Sequence, residues 1–314
     1  MNKLCRIIKT REDQIQKSQR KRPVRELLDA VYRGTLDDVR VVLGWDAEEL
    51  RGKNIKLLWH GMRLAAERGD LEVVKLLLEF SKDPNGGAAI RTPLLSALLG
   101  KQRQVVDFLR HKGAVDSFFV SVVEDNLAGV VGMLGQDPDL INLQDESGDT
   151  ALHYAARTDA VVVLELLMDR GSSLEVSGEF ELRPLHRAKG RSIGILLDRG
   201  ADVDSRNKFG VTKLHMAVRD RDVELVRLLL ENEADPNVED KGRGSTPLRR
   251  AVANTGRGGS GSKHQQAMQI LELLLEHGAD PLHKNKTGRL PIESTRNPEI
   301  KKLLQKWMSG LELE

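Results

Sequence analysis

One cysteine, Cys5, is all the thiol chemistry this chain holds. It cannot close an intramolecular disulfide, which excludes a bridge-stapled scaffold and favours a reducing compartment. Aromatic residues are scarce as well, at 4% of the chain. No apolar run reaches the roughly 18 residues a bilayer-crossing helix needs. Near the N-terminus, Leu4, Ile7 and Ile8 are separated by charged residues such as Arg6, so the unbroken apolar stretch of a signal peptide is missing. Charge of one sign is also lacking: 49 Lys and Arg against 47 Asp and Glu leave a net +2. So small a charge gives no global field to draw nucleic acid or a membrane surface. These absences set the expectation of a cytoplasmic protein with no membrane partner.

What is present is self-similarity. Residues 148–171 read GDTALHYAARTDAVVVLELLMDRG, and residues 210–235 read GVTKLHMAVRDRDVELVRLLLENEAD. Each gives a polar turn, a short helix opened by threonine, a tight connection and a second helix rich in Leu and Val. Taking the apolar residue of the T-x-L element as anchor gives nine positions: Leu27, Met62, Leu94, Phe118, Leu152, Leu185, Leu214, Leu248 and Ile292. Their separations are 35, 32, 24, 34, 33, 29, 34 and 44 residues, a repeat near 33. In the second helix of one unit, Val163, Leu164, Leu166 and Leu167 cover most of the circumference. Such a helix must be buried on several sides, and neighbouring repeats supply them. Ala155 and Ala156 keep the first helix slim. Thr150 and Thr212 stand where a hydroxyl caps it, and Gly171 and Gly200 close second helices.

These residues resemble the ankyrin repeat, whose pattern runs D-x-x-G-x-T-P-L-H-x-A-A and, later, V-V-x-L-L-L-x-x-G-A-D-V-N. The resemblance covers about residues 24–307. It implies an all-α solenoid of helix–turn–helix units with short β-hairpin fingers, in about eight to nine copies. Around that array the sequence places a basic, disordered arm at 1–23, a glycine-rich insertion near 255–264 and a tail at 308–314. The short Leu94–Phe118 interval leaves no room for a finger, and RAKGRSIGILLDRG between Leu185 and Leu214 predicts trimmed helices. Residues 297–307 read as a capping helix with Trp307 folded onto the core.

No motif carries convincing catalytic or metal chemistry. His153, His186 and His215 each follow an anchor leucine. The resemblance implies that they hydrogen-bond backbone, and stacked helices hold them about 10 Å apart, too far for one metal. GRGGSGSK at 256–263 places its lysine one residue late for a phosphate loop, and the segment before it is helical in the repeat register. Catalysis, cofactor and small-molecule substrate are therefore not expected.

What remains is surface. The resemblance implies partner contacts at finger tips and on the exposed side of the first helices. The tips include Glu146, Ser147, Phe180, Lys208, Phe209, Arg243 and Lys286. The helix positions include Arg157, Thr158, Arg219 and Asp220, and a row two residues past each anchor includes Tyr154, Arg187 and Arg250. Between Lys241 and Arg289 nine basic residues face three acids. The expectation is a non-catalytic adaptor, monomeric on its own, that binds another protein with an acidic surface through a concave face. A basic cluster, KSQRKRP at 17–23, motivates a rival: a nucleus-directed regulator associated with nucleic-acid complexes, although nucleic acid is not the expected ligand. A pathogen or symbiont effector acting on host proteins is the third reading.

Overall fold

The computed structural model describes residues 22–33, 36–45, 55–87, 90–253 and 261–311. Most of the basic arm, the insertion at 254–260 and residues 312–314 lie outside the described residues, and so do Cys5 and the start of the 17–23 cluster.

The chain divides into two compact units, residues 1–140 and 141–314. In the first, helices pair as α1 (Arg22–Arg33) with α2 (Leu36–Trp45), α3 (Ile55–Arg68) with α4 (Leu71–Ser81), α5 (Pro93–Leu99) with α6 (Arg103–His111), and α7 (Phe118–Val123) with α8 (Leu127–Gln136). Thr92 Oγ1 accepts from the Leu95 N–H and Ser117 Oγ from the Val120 N–H, so hydroxyls start α5 and α7 as the pattern requires. The anchors Leu27, Met62, Leu94 and Phe118 are buried. Only residues 112–117 separate α6 from α7, and there is no finger between them, as the short interval predicts.

The second unit carries α9 (Ala151–Thr158) with α10 (Val161–Asp169), α11 (Pro184–Arg187) with α12 (Ser192–Asp198), α13 (Lys213–Asp220) with α14 (Val223–Glu231), and α15 (Pro247–Ala253) with α16 (Ser262–Glu276). A 3₁₀ turn, Pro291–Ser294, and α17 (Pro298–Leu311) close it. Leu214, Leu229, Leu248, Leu271, Leu274, Ile300 and Leu304 form one buried cluster, and Trp307 packs on its edge, so α17 seals the core end. Each fully buried leucine contributes roughly 1.5–3 kcal/mol, enough that a repeat held between neighbours is stable where a lone one is not.

Two boundaries differ from the sequence expectation. Ser262, Lys263 and His264, assigned to the insertion, form the first turn of α16. Polar composition hid this: Ser262 and Lys263 are exposed, and His264 is held by Glu299 of α17 (2.7 Å), thirty-five residues on. The last helix also runs past residue 307 to Leu311 through Gly310, since one glycine costs only about 1 kcal/mol in a helix. The trimmed repeat is as expected: α11 has four residues, where α9 and α13 have eight each.

The fingers are hairpins closed by single backbone bonds. Among the described residues the strand pairing is one antiparallel bridge, Gln144 with Thr150. Asp145, Asn207, Asp240 and Asn285 occupy equivalent places in four of the fingers, and Gly178 takes that place in the finger of Phe180. Oδ1 of Asn207 accepts from the N–H groups of Phe209 and Val211, and Oδ1 of Asn285 from those of Thr287 and Arg289. A short carboxylate or carboxamide thus folds these four tips locally.

Candidate interaction surface

All the candidate residues lie in the unit 141–314, and a ladder of backbone bonds sets their spacing. The Lys208 N–H donates to the Phe180 carbonyl (3.0 Å), the Lys241 N–H to that of Phe209 (2.8 Å) and the Lys286 N–H to that of Arg243 (3.1 Å). Each of the last three fingers is tied in this way to the one before it, and the Glu179 N–H donates to Asp149 Oδ1 of the first. The histidines tie fingers to helices. At Thr212 the N–H donates to His215 Nδ1 (3.2 Å), so the proton sits on Nε2, which donates to the Ser245 carbonyl one finger on (3.1 Å). His153 bridges Thr150 and Leu182, and His186 bridges Arg183 and Val211, in the same way. Burial pushes His186 and His215 down to about 4 and lowers His153 too, so these rings are neutral struts.

Two fingers present an aromatic pair. Phe180 and Phe209 are 47% and 53% exposed, and their ring centroids stand 6.1 Å apart. Lys208 Nζ lies 4.1 Å from the Phe180 ring centre and 5.0 Å from that of Phe209. The rings therefore meet each other across neighbouring fingers, with an ammonium over both faces. Phe180 and Glu181 both adopt φ of +58°, so the tip that holds the ring outward is left-handed at two consecutive non-glycine residues. Such conformations cost on the order of 1 kcal/mol each and persist only where surrounding contacts hold them.

Other candidates fall into three groups. Glu146, Arg243 and Lys286 are exposed at finger tips, with Ser147 half-buried beside Glu146. Arg219 and Asp220 are exposed on α13 and pair with each other at 2.8 Å. Arg157 and Thr158 are half-buried, and the Thr158 hydroxyl donates to the Tyr154 carbonyl. Tyr154 is a correction. It is buried, 2% exposed, and its hydroxyl donates to Asp145 Oδ2 at 2.6 Å, so it braces the finger from inside. The arginines of its row led to the opposite expectation, but the two residue types solve one problem differently. Arg187 pairs with Asp149 (2.9 Å) and Arg250 with Asp240 (2.8 Å), both carboxylates being buried. Like Tyr154, these arginines hold a finger acid to a first helix.

Sequence reasoning missed Lys213, and it counted Arg249 and Arg289 only within the basic run 241–289, without singling them out as contact residues. Lys213 is buried at the first position of α13, where α5, α11 and α15 have proline. Its ammonium donates to the carbonyls of His186 (3.2 Å) and Ala188 (2.7 Å), which the four-residue α11 leaves without helical partners. A lysine at the proline position beside a truncated repeat was the available signal. Arg249 and Arg289 join Arg243 and Arg250 around one cavity between the last fingers and α15.

Among the described residues no cluster of three or more His, Cys, Asp or Glu side chains could hold a metal ion, and no helix is long and apolar enough to cross a membrane.

Comparison with known proteins places the geometry. Residues 188–285 match the description "Ankyrin repeats (3 copies)" and residues 147–178 match "Ankyrin repeat". The human 2-5A-dependent ribonuclease is 40% identical over 76 residues, 24% of this chain and 9% of that protein. Human transient receptor potential cation channel subfamily A member 1 is 25% identical over 186 residues, 55% of this chain and 14% of that protein. The chain thus spans a small part of either relative. Among solved structures, an ankyrin repeat domain from Acinetobacter baumannii is 28% identical with a TM-score of 0.54, covering 60% of this chain and 96% of that one.

Proposed function

This chain belongs to the ankyrin-repeat family, and from that premise we propose that it is a non-catalytic adaptor holding another protein against the fingers and first helices of residues 141–314. Ankyrin repeats are generally protein-interaction modules. The observation that carries the reading is the finger-tip patch of Phe180, Lys208 and Phe209. In a chain with 4% aromatics, two rings stand about half exposed against each other, and strained backbone at Phe180 and Glu181 holds the first of them outward. Exposed aromatics beside a cation are the residue types that anchor interfaces. Exposed Arg243, Lys286 and Arg289 extend the surface toward an acidic partner, whose approach their charge would speed. Cytoplasmic residence, with a nuclear pool directed by the 17–23 cluster, belongs to the same proposal.

The test is affinity capture from the source cell with mass spectrometry, comparing the wild type, Phe180→Ser/Phe209→Ser, and Arg243→Glu/Lys286→Glu. Arg250 is left alone because reversing it would strand the buried Asp240 carboxylate. Loss of a common set of partners in both variants, with melting temperatures unchanged, is the expected result. Equal recovery by all three proteins would sink the proposal.

A further inference from the structure

The cavity between the last fingers and α15 holds about 620 Å³, within the range of ligand sites. Arg243, Arg249, Arg250 and Arg289 line it, together with Thr287 and a single acid, Glu293. The charges do not cancel internally. Arg250 is matched by Asp240 (2.8 Å), and Glu293 accepts from the Leu290 N–H (2.6 Å). Arg249 donates to the Arg289 carbonyl at 2.8 Å, a neutral acceptor. Arg243 and Arg289, both exposed, form no ion pair with any described residue. Burial first, and then the Arg289 and Arg243 charges, hold Arg249 below the ordinary guanidinium value against the pull of Glu293. An anion entering the cavity would relieve that crowding.

We propose that this cavity receives a phosphoryl group carried on a segment of the protein partner. The argument rests on the adaptor reading above and goes on to name the chemistry recognised. All four lining cations are arginines, whose planar forks donate two parallel bonds to phosphate or carboxylate oxygens. A carboxylate has two oxygens and is satisfied by one fork, whereas a phosphoryl group offers three to several forks converging from different sides. Arginine clusters of this kind are a recurring solution for phosphorylated segments. The described lining contains no aromatic side chain, so no stacking platform for a nucleobase is present there, and the ligand's recognised part is its anion.

The experiment uses the full chain and a fluorescein-labelled peptide library, randomised around a central phosphoserine. A matched serine library, a matched glutamate library and inorganic phosphate accompany it. Binding is read by anisotropy at about 50 mM salt, where the Debye length still exceeds 10 Å. The phosphoserine library should bind about tenfold more tightly than either matched library, as expected for charge-assisted bidentate contacts. Arg243→Gln/Arg289→Gln should abolish that difference. Arg170→Gln/Arg227→Gln, an equal charge change at exposed positions outside the cavity, should leave it intact.

Equal binding of the glutamate and phosphoserine libraries would overturn the phosphoryl assignment while leaving the acidic-partner reading standing. Saturation by inorganic phosphate, with no added affinity from the peptide, would overturn the protein segment as source and assign the cavity to a free solute. If the Arg243→Gln/Arg289→Gln variant keeps the preference, the cavity is not the site. Loss of partner capture in Phe180→Ser/Phe209→Ser, which leaves the cavity lining untouched, would still support the adaptor reading in each case, so the two proposals fail separately.

Discussion

A single ammonium, that of Lys213, shows how a deviation from the repeat is compensated. The truncated α11 leaves the His186 and Ala188 carbonyls unpaired, and Lys213 reaches them from the next repeat. Burial pulls this lysine down to about 8, so between that value and the ordinary lysine value the unfolded chain binds more protons than the folded one. Wild-type stability should therefore rise as pH goes from about 8 to about 10.4, by up to about 3 kcal/mol. Lys213→Met should lack the rise, as urea unfolding at pH 7, 9 and 10 would show. An identical pH slope in the two proteins would mean that the ammonium is hydrated. The neutral histidines act with the opposite pH window. His186 and His215, near 4 when folded, favour the fold fully above about 6.5. Stability should fall by a few kcal/mol as pH drops from about 6.5 to about 4, and less in His186→Gln/His215→Gln.

Helix ends and helix faces set the next scale. Ala155 is fully buried between α9 and its neighbours. Ala155→Asp places an unpaired carboxylate there and should cost about 3–5 kcal/mol or unfold the surrounding repeats, read by thermal melting. A melt unchanged from wild type would contradict its burial. The ends of the second helices offer a stabilising change. Gly171 and Gly200 take φ of +88° and +84° two residues after α10 and α12, and after α14 the equivalent residue is Glu233, at +63°. A side chain in that conformation costs about 1–2 kcal/mol, and Glu233 is exposed at a turn. Glu233→Gly should raise stability by about 1 kcal/mol, less the backbone entropy that glycine adds to the unfolded chain. A lowered urea midpoint would show that the Glu233 side chain makes a contact worth more than the strain.

Stacked repeats should respond to damage locally, because stability is a sum of repeat and interface terms. In the unit 141–314, native-state hydrogen exchange of Ala155→Asp should show early loss of protection in α9 to α12. Protection in α15 to α17, held by the Ile300 and Leu304 cluster, should persist. Uniform loss across the unit would mean that it unfolds as one cooperative block. Much of this organisation is visible in the chain itself. The anchor spacing locates the first helices, the threonine caps their starts, and the Leu94–Phe118 interval shows the missing finger. The candidate surface was less legible. Phe180, Lys208 and Phe209 were each identifiable as finger residues, yet nothing in their spacing says that one ammonium covers both rings.

The sequence by itself determined the repeat, its period and its irregular members, because these depend on residues close together in the chain: a cap, an apolar stripe, a turn. Only the tertiary structure decided which polar residues are free to meet a partner. Tyr154, Arg187 and Arg250 occupy one row and were read alike, but each is bound to an acid of its own or the preceding finger, nine to thirty-eight residues away. Arg243 and Arg289 look no different in sequence and carry no such bond to a described residue. The reason is physical: a charge is neutralised by whatever lies within about 4 Å of it in space, and stacking, which joins residues a whole repeat apart, sets that neighbour.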